Sequence, residues 1–426
     1  MSPTPPLALS EALIQLLDTV SASRVMKDTQ TVPLADALGR VLADETQATL
    51  DVPPADNSAM DGYAVRFHDA GKVLPVAQRV FAGARGQPLR QGVVARIFTG
   101  AEIPPQADAV VMQEDVQQSS GIGISDDADA DSVIALDAAH SRVKLPAHID
   151  PGQHIRRRGQ DCAKGELLLP QGRRLRPQDL GLLASQGFAE VRVLRKLKVA
   201  LISTGSELRE PGSGPLPPGA IYNSNRLMLT GLLVASGYAV VDLGIVPDSL
   251  EATVQALRDS ADKADVIVSC GGVSVGEADF VRDAVAQLGR ISLWRIAIKP
   301  GKPFAHGLLG STHFIGLPGN PSSAFVTFLL LARPLLAALQ GCSDKPLPAF
   351  PAKAEFSHPS AGSRDEYLRV SLRVEAGTLL VTPYANQSSG VLKSVSASNA
   401  LALIPAGSTI CEGDPVEVYP LDLLVT

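Results

Sequence analysis

Acidic, glycine-rich turns follow several apolar runs between residues 198 and 343, and three of these turns carry Glu207, Asp248 and Asp279. Carboxylates beside such turns suit a divalent cation that bridges protein oxygens and phosphate. The exposed backbone N–H groups of the turns, together with helix N-termini, favour phosphate or another oxyanion. We therefore expect a polyanionic ligand with a metal, and a reaction that attacks phosphorus or exchanges an oxyanion.

The same turns supply neutral and cationic groups for such a ligand. The candidate substrate contacts are Gly271, Gly272, Ser274, Lys299, Lys302, Pro318, Gly319, Asn320 and Pro321. Each turn alone has a structural explanation: Gly271–Gly272 can be a turn with positive φ, Asp248 an N-cap, and Asn320–Pro321 a helix start. Five such turns on one edge of a sheet favour a binding site. Their spacing does not match the P-loop pattern, so a P-loop NTPase is disfavoured.

A second polar cluster lies earlier in the chain, at Asp56–Ala64, where two carboxylates, an amide and a hydroxyl share one short turn. Its structural explanation is an Asx-turn that leads into a strand. Thr99–Gly100 forms another turn in the same region. The consecutive arginines Arg156–Arg158 are usually a solvated face, but beside a polyanion they could clamp phosphate.

The elements that must position these residues alternate between strands and helices from Lys198 to Leu339. The predicted strands are Val199–Ser203, Ala239–Leu243, Val266–Cys270, Leu293–Ile298 and His313–Leu317. The predicted helices are Asn223–Ser236, Leu250–Asp262, Glu277–Leu288 and Pro321–Gln340. This alternation indicates a mostly parallel sheet covered on both faces, which binds ligands beyond the carboxyl ends of its strands.

The rest of the chain predicts a multidomain α/β protein. We expect a helical N-terminal domain (1–46 and 147–197), an inserted all-β module (47–146), the α/β domain (198–343) and a small, barrel-like β domain (344–426). The N-terminal helices are predicted at Ser10–Val20, Pro33–Ala43 and Arg173–Gly187. The acidic stretch Ser119–Ser132 lacks EF-hand spacing, which favours an exposed hairpin tip over a calcium loop.

The composition of the chain limits the classes of protein to which it can belong. The 426-residue chain is 45% hydrophobic and 19% charged, which is typical of globular proteins. Its net charge of −6 does not indicate the basic surface that nucleic-acid binding requires. Its 4 cysteines include no CxxC pair, which predicts reduced thiols in the cytoplasm. The Pro-rich start is not a signal peptide. Ala324–Leu339 is short for a membrane span and carries Arg333 and Pro334, so we expect a buried core helix.

Eight sequence blocks resemble the molybdopterin molybdenumtransferases, a family that includes the E domain of gephyrin. These blocks are Asp56–Arg66, Arg96–Pro104, Ala107–Glu114, Ile155–Asp161, Ala200–Leu208, Ser269–Phe280, Ala297–Gly307 and Gly316–Ala324. The resemblance runs from about Ala8 to Val418. Several of the blocks are long and nearly exclusive to the family, so the match is specific.

The resemblance implies an enzyme that takes adenylated molybdopterin, binds molybdate and Mg²⁺, and releases molybdenum cofactor and AMP. It also implies a homodimer in which the β module of one subunit faces the α/β domain of the other, so that Asp61 and Thr99 complete the partner's site. By motif, Glu207, Asp248 and Asp279 match the family's functional acids and are candidates for both catalysis and metal binding. Transient contacts with the molybdopterin adenylyltransferase and with apo-molybdoenzymes are expected.

Other positions match the family less closely. Arg369, Ser389 and Ser394 are weaker matches, expected only as molybdate or pterin contacts. The departures are Ser206 and Asn223, where acidic residues are frequent in the family, Arg295, where lysine is frequent, and Gln160, where glutamate is common. Loss of negative charge at Ser206 and Asn223 would weaken metal binding near the proposed site.

Two other functions remain open from the sequence. One is an adenylyltransferase that makes the adenylated pterin, although such relatives are usually just the α/β domain. The other is a non-enzymatic scaffold, because gephyrin's E domain also anchors receptor tails. The acids retained at the expected edge of the sheet favour an enzyme.

Overall fold

The computed structural model describes residues 6–21, 25–119, 134–135, 142–273, 280–343 and 348–422. The chain divides into two compact units. The first unit comprises 1–44, 171–177 and 190–426, and the second comprises 45–170 and 178–189. The predicted boundaries of the four domains stay a prediction.

A six-stranded sheet forms the centre of the first unit. Its strands are β1 (Lys198–Thr204), β2 (Ala239–Val246), β3 (Val266–Cys270), β4 (Arg290–Arg295), β5 (Pro303–Leu309) and β6 (Thr312–Leu317). The strand order is β2-β1-β3-β6-β5-β4, and the first four strands are mutually parallel. Because β5 is antiparallel to both β6 and β4, β4 runs in the same direction as the parallel strands. The predicted mostly parallel sheet is confirmed, and β5 is a strand that the sequence did not reveal.

Helices cover both faces of this sheet. They are α1 (Ser224–Ala235), α2 (Leu250–Lys263), α3 (Phe280–Leu288) and α4 (Pro321–Leu339). Along β1, Val199 and Leu201 belong to one hydrophobic core, while Ala200 and Ile202 belong to another. The helices α1 and α4 contribute to the first core, and α2 and α3 to the second. Both faces of a strand are therefore buried, which explains why the strands are continuous apolar runs.

Helix α4 is long and apolar enough to cross a membrane by length and composition, but 78% of its most apolar stretch is buried. Its middle turn, Phe328–Ala332, is a π-helix whose residues are all buried. The helix packs in the first core, as expected for the core helix of a globular domain.

The N-terminal segment of the first unit is less helical than predicted. The helix Leu9–Ser21 forms as expected, but the predicted helix Pro33–Ala43 is wrong, because only a 3₁₀ turn at Leu34–Asp36 is present. Backbone pairing across the chain occupies part of the predicted helix instead, because Val41 forms an isolated β-bridge with Arg174 and Leu42 forms one with Val193. The local helix propensity of this segment is overridden by backbone pairing with segments more than 130 residues away in the sequence.

A closed five-stranded barrel ends the first unit, which confirms the predicted barrel-like domain. Its strands are Phe350–Ala354, Asp365–Glu375, Thr378–Pro383, Ala400–Ile404 and Pro415–Pro420. Closure comes from pairing of Asp365–Glu375 with Ala400–Ile404. A short strand after β4, Ile298–Lys299, joins the barrel beside Asp365–Glu366. A short helix, Leu392–Ser396, precedes the strand Ala400–Ile404.

The second unit is mostly β. Its strands are Thr46–Gln47, Asn57–Ser58, Gly62–Val65, Val73–Val80, Val94–Ile97, Ala109–Met112, Gln117–Ser119, Ile134–Ala135, Arg142–Lys144, Ile155–Arg156 and Leu167–Leu169. The predicted helix Arg173–Gly187 is shorter, at Pro177–Ser185. The predicted hairpin tip Ser119–Ser132 lies outside the described residues except for Ser119.

Candidate active site

A cleft of about 770 Å³ opens at the carboxyl ends of the parallel strands. The residues that line it are Thr204, Gly205, Glu207, Leu208, Ile221, Tyr222, Asn223, Ser224, Asn225, Asp248, Cys270, Gly271, Gly272, Val273, Pro303, Pro318, Gly319, Asn320, Pro321, Ser323, Gly390 and Leu392. The lining includes residues from all five predicted turns, and Pro303 is the residue contributed by the turn Lys299–Pro303. The position agrees with the rule that parallel sheets bind ligands beyond the carboxyl ends of their strands.

Two of the predicted acids lie in this cleft. The Asp248 carboxylate accepts a hydrogen bond of 2.7 Å from the backbone N–H of Ser206, which links the turns after β1 and β2. The alternative explanation of Asp248 as an N-cap is wrong, because Ser249 caps α2 by accepting from the Ala252 N–H at 3.2 Å. Glu207 is exposed at the same wall. Asp248 is therefore not needed to cap the helix and stays a candidate ligand-binding group.

The paired glycines after β3 are required by the backbone. Gly271 and Gly272 have φ of +91° and +69°. A Cβ on Gly271 would lie 2.7 Å from the Thr204 carbonyl oxygen, and one on Gly272 would lie 2.3 Å from a Val281 methyl group. The structural explanation of this turn is thus correct, and the turn also lines the cleft. Ser274 and Asp279 lie outside the described residues.

A hydrogen-bond network fixes the turn after β6. The side-chain N–H of Asn225 donates to the Gly319 carbonyl oxygen at 2.7 Å and to the Cys270 Sγ at 3.2 Å. Pro318 is buried, whereas Asn320 is exposed and makes no capping bond at the start of α4. The backbone of Ser389 takes part instead, because its carbonyl accepts from the Ser322 N–H at 3.0 Å.

The predicted lysines lie outside the cleft lining. Lys299 Nζ is 2.8 Å from the Glu366 carboxylate, and Lys302 is exposed. No lysine or arginine is present among the described residues that line the cleft, whereas Glu207 and Asp248 are. A polyanion bound against this wall would meet two carboxylates, so it requires backbone N–H groups and an added cation.

Arg369 is almost completely buried, with 1% of its surface exposed. Its guanidinium donates to Ser394 Oγ at 3.3 Å, to the Tyr367 carbonyl at 3.1 Å and to the Ser388 carbonyl at 3.4 Å. Burial lowers the pKa of Arg369 to about 10. In this arrangement Arg369 supports the loop before Gly390, and its predicted contact with substrate stays a prediction.

The described residues contain no cluster of three or more side chains suited to hold a metal ion. The cleft does combine the carboxylates of Glu207 and Asp248. Mg²⁺ is commonly bound by one or two carboxylates together with substrate phosphates, rather than by a complete cage of protein ligands. The residues present therefore fit a Mg²⁺ ion that arrives with an anionic substrate.

In the second unit, the predicted catalytic residues Asp61 and Thr99 contact each other. The backbone N–H and the hydroxyl of Thr99 both donate to one Asp61 oxygen, each at 2.7 Å. The Thr99 hydroxyl, and after it the Thr99 N–H, hold the pKa of Asp61 below its usual range. The pair is exposed, and its carboxylate is ionised at neutral pH.

The arginines of Arg156–Arg158 are largely paired with nearby acids. Arg157 is 2.6 Å from the Asp56 carboxylate, and Arg158 is 2.6 Å from that of Asp51. Arg156 pairs through its backbone with Asn57 in a short antiparallel ladder. Two of the three charges are thus neutralised locally, which favours the structural explanation of the triplet.

Several cleft residues were not among the predicted contacts, chiefly Thr204, Tyr222, Asn225 and Cys270. Thr204 and Cys270 are the last residues of β1 and β3, so the strand-end rule applied one residue earlier would have found them. Tyr222 and Asn225 flank the start of α1 after an exposed loop rich in Pro and Gly. No simple sequence pattern predicts that this loop lies at the cleft.

Three family models match the sequence in order. The description "MoeA N-terminal region (domain I and II)" applies to residues 7–187, "Probable molybdopterin binding domain" to 200–338, and "MoeA C-terminal region (domain IV)" to 351–421. Together they span most of the chain, and the second contains every described turn that lines the sheet edge.

Curated relatives and solved structures match over nearly the whole length. A molybdopterin molybdenumtransferase of Haemophilus influenzae is 40% identical, with 93% of this chain and 95% of that protein covered. Molybdopterin molybdenumtransferase 2 of Mycobacterium tuberculosis is 36% identical, with 92% and 95% covered. The crystal structure of a molybdopterin biosynthesis MoeA protein from Pyrococcus horikoshii OT3 superposes with a TM-score of 0.79 at 30% identity, covering 98% of this chain and 100% of that one. The chain therefore belongs to the molybdopterin molybdenumtransferase family.

Proposed function

We propose that this protein inserts molybdate into adenylated molybdopterin and releases AMP and molybdenum cofactor in a Mg²⁺-dependent reaction. The proposal rests on the cleft at the carboxyl ends of the strands. Its described lining combines the carboxylates of Glu207 and Asp248 with glycine-rich turns and contains no lysine or arginine. Such a wall suits a phosphoanhydride that is bound together with a divalent cation. The names of the relatives supply the substrate class.

The backbone is the first binding element for the anhydride. The turn at Gly271–Gly272 keeps side chains away from the backbone, so a phosphate can approach its N–H groups closely. The N-termini of α1 and α4 also border the cleft, at Ser224 and Pro321, and add partial positive charge. These groups orient the anhydride and stabilise charge that develops on its oxygens.

Glu207 and Asp248 would hold Mg²⁺, with Asp279 as a further candidate ligand. When bound, the ion would neutralise anhydride charge and polarise its oxygens. Asp248 also has a structural role, because its bond to the Ser206 N–H holds the turn after β1 at the cleft. Lys299, Lys302, Arg369 and Ser389 remain proposed contacts for molybdate or the pterin, which are substrates.

We further propose a homodimer in which Asp61 and Thr99 of one copy complete the site of the other. The exposed, ionised Asp61 is the kind of group that a neighbouring copy can use. A cytoplasmic location, with transient contacts to the adenylyltransferase and apo-molybdoenzymes, belongs to the same proposal.

The test is AMP release from adenylated molybdopterin with Mg²⁺, measured with and without molybdate. Molybdate-stimulated release whose product activates an apo-molybdoenzyme is the expected result. The variants Asp248→Asn and Asp61→Asn should each lower the rate, while Asp262→Asn, at an exposed position of α2, serves as the matched control. Unchanged release in both site variants would show that the assigned roles are wrong, and no release from the folded wild type would overturn the activity.

A further inference from the structure

Arg96 is a half-buried arginine of the second unit that lies close to the pair Asp61 and Thr99. It belongs to the strand Val94–Ile97, which leads into the turn that carries Thr99. This strand pairs antiparallel with Gly62–Val65, the strand that begins directly after Asp61. The turns that bring Asp61 and Thr99 together therefore extend from the same end of one strand pair, beside Arg96.

Two aromatic rings hold the Arg96 guanidinium in place. Its carbon atom lies 4.7 Å from the centroid of the Phe98 ring and 5.3 Å from that of the Tyr63 ring. Tyr63 is buried, and Phe98 stacks on Phe81 with ring centroids 4.7 Å apart and planes 6° from parallel. A guanidinium over the faces of two packed rings is attracted to both and is restrained in position.

The same guanidinium anchors the backbone around Asp61. It donates to the Gly62 carbonyl oxygen at 3.0 Å and to Gln113 Oε1 at 2.5 Å. The backbone N–H of Gln113 in turn donates to the Asp61 carbonyl oxygen at 3.1 Å. The carbonyl groups of Asp61 and Gly62 are thus both fixed, the second by Arg96 directly and the first through Gln113.

The charge of Arg96 also acts on Asp61. Both bonds of the guanidinium end on neutral groups, a backbone carbonyl and a side-chain amide, and neither ends on the Asp61 carboxylate. The hydroxyl of Thr99, then its backbone N–H and, more weakly, the nearby charge of Arg96 hold the pKa of Asp61 below its usual range. Arg96 therefore stabilises the ionised carboxyl group without occupying either of its oxygens.

We propose that Arg96 is a positioning residue that holds the Asp61 carboxylate in the orientation in which it takes part in the reaction. Arg96 acts through the Gly62 carbonyl and Gln113, which fix the backbone of the turn, and through its charge. The part that Asp61 plays in the reaction rests on the proposed function. The contacts that position Asp61 do not, so they can be tested separately.

The first measurement is an NMR titration of the Asp61 carboxyl group, assigned by the loss of its signal in Asp61→Asn. Arg96→Met removes the charge and both donors, and each loss should raise the pKa of Asp61. Arg96→Lys keeps the charge without the planar fork of donors and should raise the pKa less. The control is Arg142→Met, because Arg142 is an exposed arginine of the same unit that donates to the Val73 carbonyl at 3.1 Å. It should leave the titration of Asp61 as in wild type.

The second measurement is a double-mutant cycle on AMP release. Arg96→Met should lower the rate by about tenfold, because the carboxylate is no longer held in one orientation, and Arg96→Lys should lower it less. In the Asp61→Asn background, Arg96→Met should change the residual rate by less than about twofold, because no carboxylate is left to position. Urea unfolding of each variant shows whether the fold is retained.

The proposal is overturned if folded Arg96→Met titrates at Asp61 as wild type does. It is also overturned if Arg96→Met lowers AMP release equally with and without the Asp61 carboxylate, because Arg96 would then act on another group. If Arg96→Met does not fold, the same two readouts are taken from Arg96→Lys and from Gln113→Leu, which removes one acceptor of the guanidinium. Failure of the proposed function has a different result: AMP release is absent from wild type or is unaffected by Asp61→Asn, and the NMR titration alone then decides whether Arg96 positions Asp61.

Discussion

The carboxylate of Asp61 accepts two hydrogen bonds of 2.7 Å from Thr99, one from the backbone N–H and one from the hydroxyl. The two residues are 38 positions apart and belong to different turns. Their contact orients one carboxylate oxygen and stabilises its ionised form. Both bonds end on the same oxygen, and neither reaches the other one. Thr99 therefore fixes the carboxylate through one oxygen, and the second oxygen points to the role of hydrogen-bond acceptor for another group.

We predict that Thr99→Val raises the pKa of Asp61, because the Thr99 hydroxyl is the largest cause of its depression. NMR titration of the Asp61 carboxyl group measures this directly. AMP release should fall by about tenfold or more, since a carboxylate that keeps only the bond from the Thr99 backbone N–H is positioned less well. The acid limb of the pH–rate profile should move to higher pH.

Thr99→Ser is the matched control, because it keeps both donors and should retain the depressed pKa and most of the activity. If Thr99→Val and Thr99→Ser titrate alike, the hydroxyl bond does not set the ionisation of Asp61.

A second prediction separates the roles of two neighbouring residues, Asp248 and Ser249. Ser249 caps α2, so Ser249→Ala should lower the free energy of unfolding by about 1 kcal/mol with little effect on Mg²⁺ dependence. Asp248→Asn keeps an oxygen for the Ser206 N–H and should leave stability nearly unchanged. It should raise the Mg²⁺ concentration for half-maximal AMP release by about tenfold, or ~1.4 kcal/mol of binding free energy.

Urea unfolding and Mg²⁺ titrations on both variants check this pair. A loss of stability in Asp248→Asn equal to that in Ser249→Ala, without a change in Mg²⁺ dependence, would return Asp248 to a purely structural role.

The parallel sheet was predictable because its strands are buried on both faces, which leaves uninterrupted apolar runs such as Val266–Cys270. The turns that follow those runs could be assigned to one edge by the direction of the strands alone. Strand β5 was missed because its sequence, PFAHGLL, carries Pro and Gly and pairs as an antiparallel hairpin with β6.

Contacts between distant segments explain most of the remaining differences. Lys299 was predicted to bind an anion as a free cation, but pairing of Ile298–Lys299 with the barrel brings it to Glu366. The helix start at Leu250 was predicted correctly, and the N-cap is the residue directly before it, Ser249, rather than Asp248. The position of Lys299 depends on a tertiary partner, which local sequence patterns do not specify.

The third prediction concerns acid stability and the buried pair His306 and His313, whose ring nitrogens are 3.0 Å apart. Burial, and then the charge of His313, lower the pKa of His306 to about 3, and burial lowers that of His313 to about 4. Both are neutral in the folded protein, while the unfolded chain takes up protons near pH 6.5. Their contribution to stability is therefore complete above about pH 6.5 and is lost as the pH falls towards 4.

Unfolding of this sheet can be followed by the single tryptophan, Trp294, which lies in β4 beside β5. The slope of unfolding free energy against pH should reach at most about 2.7 kcal/mol per pH unit from the two protons. His313→Gln removes one titrating group and keeps an acceptor for His306, so it should halve the contribution. The exposed His148→Gln is the control, and equal slopes in wild type and His313→Gln would contradict the prediction.

The last prediction tests whether the buried Arg369 acts on substrate or on the barrel. Arg369→Lys keeps a positive charge but cannot reach Ser394, Tyr367 and Ser388 together, because lysine lacks the planar fork of donors. We expect a loss of about 2 kcal/mol in unfolding free energy, measured by urea denaturation. Arg373→Lys, at an exposed position on the same strand, should change stability less.

The same variant should also bind substrate more weakly. Because the Ser388 carbonyl is held next to the cleft residues Gly390 and Leu392, substrate affinity should fall together with stability. A variant that keeps wild-type stability but loses molybdate dependence would instead assign Arg369 to substrate contact.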